Sequence, residues 1–149
     1  MIDITSYLRT ESGSFVDVAE AGTPPVDPSY VEGAIDMTIN GVRILDREVW
    51  DYVDELWAYI GDMVLKLANE GEASTYFPDQ PIRLSFKRLG GGLVLVSLTY
   101  DDVKRTVSVG ERELVNALRW SGTEFFTRMK ELLPENALGY DDALTRLTG

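Results

Sequence analysis

At 149 residues the chain is long enough to bury a proper core within one domain. Its formal net charge of −11 argues against binding phosphate backbones or anionic membranes, which need a basic footprint. Cysteine and histidine are absent, which excludes disulfides, Cys/His zinc sites, Ser-His-Asp and Cys-His catalysis within the chain, and a histidine pH switch.

The N-terminus lacks a basic stretch followed by an apolar one, and no apolar run approaches membrane-spanning length. Cytoplasmic residence is therefore the expectation. The acidity is uneven. Residues 1–80 carry a net −12 and residues 81–149 a net +1.

Residues 1–29 are weakly patterned. Met1–Ile4 and Phe15–Ala19 each suit a short strand, with Ser12-Gly13-Ser14 turning between them. The prolines of Gly22–Pro28 rule out helix or central strand, which leaves an extended connection. Gly33–Leu45 predicts a hairpin closed by Asn40-Gly41, the preferred pair for a type I′ turn. A two-residue loop sets Ile39 opposite Val42 and Met37 opposite Ile44.

The strongest pattern runs from Asp46 to Gly71. Val49, Val53, Leu56, Ile60, Met63 and Leu67 are spaced 4, 3, 4, 3, 4, one stripe of an α-helix. Trp50, Trp57 and Val64 widen the stripe, and the two tryptophans read as core. Asp46 suits the N-cap and Gly71 a left-handed C′ stop. Gly61 falls on the polar side. Glu48, Asp51, Glu55 and Asp62 fall opposite the stripe, with Asp54 at its edge, so this acidic face is the first candidate binding surface.

Glu72–Pro81 reads as a loop, with Phe77 plugging the core edge. Ile82–Val109 predicts a three-stranded meander, turned at Gly90-Gly91-Gly92 and at Asp101-Asp102. These turns pair Leu89 with Leu93 and place Val96 opposite both Phe86 and Val107. Arg105 falls opposite Leu98, where it snorkels from an edge strand. The polar face of the meander carries Arg83, Lys87 and Lys104, a second candidate surface, with Leu93 and Leu95 at one end as a possible homodimer contact. Glu111–Leu133 predicts a second long helix that Ser121-Gly122 could kink and Pro134 ends, and Asp141–Leu147 a short terminal one.

No dinucleotide fingerprint, P-loop or EF-hand spacing occurs, so no cofactor, metal site or catalytic set is expected. The chain reads as a single α+β domain over residues 1–149. A mostly antiparallel five- or six-stranded sheet carries two long helices packed on one face. Small size, strong acidity and missing catalytic motifs are similar in outline to bacterial immunity proteins, which neutralise basic toxins. That likeness implies a non-enzymatic domain that binds a basic protein partner. The alternative is a small-molecule-binding domain or a carboxylate-based enzyme, with a pocket between sheet and helices.

Overall fold

The computed structural model describes residues 1–149. The chain forms β1 (Ile2–Arg9), β2 (Phe15–Asp17), β3 (Glu32–Ile39), β4 (Val42–Leu45), β5 (Asp51–Tyr52), α1 (Val53–Glu70), β6 (Glu72–Tyr76), β7 (Arg83–Gly90), β8 (Leu93–Tyr100), β9 (Val103–Gly110), α2 (Glu111–Leu132) and α3 (Ala137–Thr148). The class is α+β, with antiparallel strands throughout. The strands divide, however, between two sheets. One runs β2-β1-β3-β4, with β5 also on β3, and the other runs β6-β7-β8-β9.

Side chains join the sheets where β4 and β9 lie side by side. Arg105 pairs with Asp46 at 3.2 Å and donates to the Ile44 carbonyl at 3.3 Å. Asn40 Nδ2 donates to the Ser108 carbonyl at 3.1 Å. Arg105 therefore finds acceptors at the junction instead of snorkelling to water. One buried cluster runs through both sheets and all three α-helices.

The hairpin turn forms as its residues dictate, with Asn40 and Gly41 both at positive φ and Ile39 opposite Val42. A bulge at Met37/Thr38 then sets Met37 opposite Leu45, not Ile44, which lets Ile44 and Leu45 both be buried. In the second sheet Val96 faces Phe86 and Val107, and Leu98 faces Arg105, as the turns require. The glycine turn is one residue shorter than expected. Gly90 faces Leu93, and the irregularity leaves Leu89 half exposed. The N-terminal strand extends to Arg9 and pairs with β3 along most of its length.

The largest correction concerns the start of α1. Asp46 does cap, accepting from Glu48 N–H at 3.0 Å, but it caps a 3-10 turn at Arg47–Val49. The chain then extends, and Asp51 and Tyr52 pair with Gly33 and Glu32 of β3 before the helix begins at Val53. Gly33 permits this close crossing. A Cβ there would lie 2.1 Å from the Tyr7 carbonyl oxygen and 2.7 Å from Val53 Cγ1. From Val53 onward the apolar stripe is core as expected, including Trp57, whose indole donates to Ser6 Oγ at 3.0 Å.

Glu72–Tyr76 is a strand, not part of a loop. It sits at a sheet edge with only Ala73 buried, so it shows no apolar alternation. Helix α2 spans the expected residues without a break at Ser121-Gly122. Helix α3 starts four residues before the expected Asp141 and covers α1 and α2 from outside. Its Leu147 packs on Gly61, which is buried and not polar-facing, and on Gly122. No helix is long and apolar enough to cross a membrane.

Candidate functional site

The five acidic residues expected on one helix face do not share one, because Glu48 and Asp51 precede the helix. Glu48 and Glu55 are exposed and form no ion pair. Asp62 pairs with Arg146 at 2.6 Å. Asp54 is half-buried and accepts the Tyr140 hydroxyl at 2.8 Å.

Asp51 is 3% exposed and its role is structural. Its carboxylate accepts the N–H groups of Tyr52, Asp79 and Gln80 at 2.6 to 3.2 Å. Gln80 Nε2 returns a bond to the Trp50 carbonyl. The rigid loop from Phe77 to Pro81 is thereby tied to the start of α1, with Phe77 buried beneath it as expected.

That tie builds a surface cleft of about 190 Å³, lined by Glu32, Glu48, Trp50, Asp51, Tyr52, Asp79 and Gln80. Arg9 lies against its wall, paired with Glu32 at 3.1 Å and 4.2 Å from the Trp50 ring centre. Glu48 and Asp79 have no such partner. The field inside is negative, and neighbouring groups register it. Burial raises the Asp51 carboxyl above the usual carboxylate range against its N–H bonds, and the Asp79 charge raises it further. Desolvation, then Asp79 and Glu32, push the Tyr52 phenol up. Burial and the charges of Asp54, Asp51 and Asp79 raise Glu55. Carboxylates beside aromatic rings suit a guanidinium or ammonium group.

A neighbouring groove of about 370 Å³ lies between α1 and α3, lined in part by Asp54, Glu55, Tyr140 and Arg146. Burial raises Asp54, while the Tyr140 and Glu55 hydrogen bonds pull it down. Tyr140 is pushed well above its ordinary value, chiefly by burial, so its phenol stays neutral and donates. A wider groove, about 850 Å³, runs between the β1–β2 end and the Gly22–Asp27 segment. Arg9 on its wall is already paired. No group of three or more Asp or Glu residues has a metal-holding arrangement.

Of the two tryptophans, Trp57 is core but Trp50 lines the acidic cleft. Asp79, Glu32 and Tyr52 joined the site unseen, since nothing in sequence spacing brings residues 32, 48 and 79 together. Arg83, Lys87 and Lys104 are exposed on the outer face of β7 to β9, and none forms an ion pair. Leu93 and Leu95 lie on the same face, Leu93 exposed and Leu95 half-buried. Comparison of the chain with protein-family models, curated proteins and solved structures finds no match.

Proposed function

We propose that the chain is a non-enzymatic protein-binding domain, immunity-protein-like, that takes a basic side chain of its partner into the acidic cleft. The observation that carries this reading is the cleft itself: Glu48 and Asp79 without cations, beside Trp50 and Tyr52, over a loop held rigid by Asp51. Charge complementarity would supply fast association and choice of partner. The interior supports the same reading. The space between sheets and helices is filled by Trp57, Phe86, Phe125 and Phe126, all buried, and the three clefts described above open at the surface.

The test is a triple Glu48→Gln, Glu55→Gln, Asp79→Asn variant that leaves Asp51 in place, since Asp51 holds the loop. A partner captured from the native host's lysate at low salt is purified and its binding kinetics measured. The expected outcome is an association rate roughly tenfold lower at low salt, a flattened salt dependence and a little-changed dissociation rate. An unchanged association rate with the fold intact would reject the cleft as the contact. The face carrying Arg83, Lys87 and Lys104 would then be tested in the same way.

A further inference from the structure

The outer strands of the two sheets are not equally protected. β2 has three residues and β5 two. β4 and β9 lie against one another through Arg105, Asp46 and Asn40. β6 is different. It is five residues long, with no proline, lysine or bulge to blunt it. Arg88 N–H bonds the Gly71 carbonyl and Phe77 N–H the Ile82 carbonyl. Alternation along the strand then turns the main-chain groups of Glu72, Ser74 and Tyr76 away from β7. All three residues are exposed, Tyr76 by 63%.

We infer that β6 is where a second copy of the chain pairs, antiparallel about Ser74, so that two four-stranded sheets become one of eight. The edge is complementary to itself in that register. Ser74 meets Ser74, and Glu72 meets Tyr76 of the second copy. Within one chain Lys87 lies opposite Glu72, and Arg83 lies opposite Tyr76. Across the joint the row runs Lys87 and Glu72 of one copy, then Tyr76 and Arg83 of the second, so no like charges face each other. Arg83 already leans toward this edge, its Nη2 donating to Ser74 Oγ at 3.0 Å. It makes no ion pair within the chain, and it brings positive charge to the side of the joint on which the second copy's Glu72 stands. On the inner side Ala73 meets Thr75, both small. Stacking two copies through Leu93 and Leu95 is the poorer arrangement, because Arg83, Lys87 and Lys104 would then approach their own counterparts. Pairing of five residues buries little area, so the dimer is weak and reversible.

Sedimentation equilibrium from about ten micromolar to about one millimolar, a range spanning weak affinities, measures it. The dimer fraction is expected to rise with concentration. Ser74→Pro removes an outward N–H without touching the β7 ladder, and should weaken self-association about tenfold or more. Ser74→Lys keeps the fold and sets like charges on the two-fold axis. It should weaken the dimer similarly, with part of the loss recovered at high salt. The Glu48/Glu55/Asp79 variant should leave the dimer unchanged, so the cleft and the edge fail separately. A monomer at every concentration would overturn the inference, and so would a dimer that tolerates Ser74→Lys.

Discussion

Leu147, in the last turn of α3, is fully buried because it fills a notch between Gly61 of α1 and Gly122 of α2. Leu147→Ala removes three buried carbons, worth about 2.4 kcal/mol at roughly 0.8 kcal/mol each. Space that does not close adds to this, within the usual range of about 2–5 kcal/mol for such truncations. Partial closing of the space around α3 leaves an expected loss of about 3 kcal/mol. Urea denaturation followed by tryptophan fluorescence should show a lower midpoint and an unchanged slope. Gly122→Ala provides the second arm. Its Cβ would lie 2.4 Å from Leu147 Cδ2 and 3.1 Å from Trp57 Cζ3. Alone it should cost about 1–3 kcal/mol of overpacking, offset by up to about 1 kcal/mol of helix propensity. In the Leu147→Ala background the new methyl enters vacated space, and the two changes should couple by at least about 1 kcal/mol. A Leu147→Ala loss below about 1 kcal/mol, or additivity within about 0.5 kcal/mol, would refute this account of how α3 is held.

Two further outcomes follow from single positions. Asp54 is raised mainly by burial, so the folded state holds its proton to higher pH than the unfolded chain does. Its stabilising contribution is present below the unfolded carboxylate value of about 3.9 and is lost as pH rises through the folded value. Asp54→Asn keeps an acceptor for Tyr140 and should raise the melting temperature at pH 7, with the gain vanishing near pH 3; calorimetry showing a loss at pH 7 would contradict this. Gly33→Ala should destabilise by about 3 kcal/mol or more, since its Cβ would meet a main-chain oxygen at 2.1 Å that no rotamer change can move. Wild-type-like unfolding in urea would show that the β3–α1 crossing is looser than described.

Local chemistry determined the turns, the strand register and one whole helix. Asp101-Asp102 and the glycine turn set a register over β7 to β9 that the apolar alternation also required, so Val96 could be placed between Phe86 and Val107 from sequence, whereas Asn40-Gly41 set Ile39 opposite Val42 but not the pairing beyond the Met37/Thr38 bulge. The stripe from Val53 to Leu67 and the length of α2 were equally legible, because a 3.6-residue period over many turns has few other readings. Tertiary structure decided the rest. Val49 and Trp50 continue the helical period, but β3 offered Asp51 and Tyr52 a strand, and the N–H groups of Asp79 and Gln80 required the Asp51 carboxylate. β6 was invisible because an edge strand buries too little to impose a pattern on its residues. The acidic cleft escaped for a related reason. Its walls come from residues 32, 48, 50 and 79, whose proximity depends on how β3, β5 and one loop close around a buried carboxylate, and no local period encodes that.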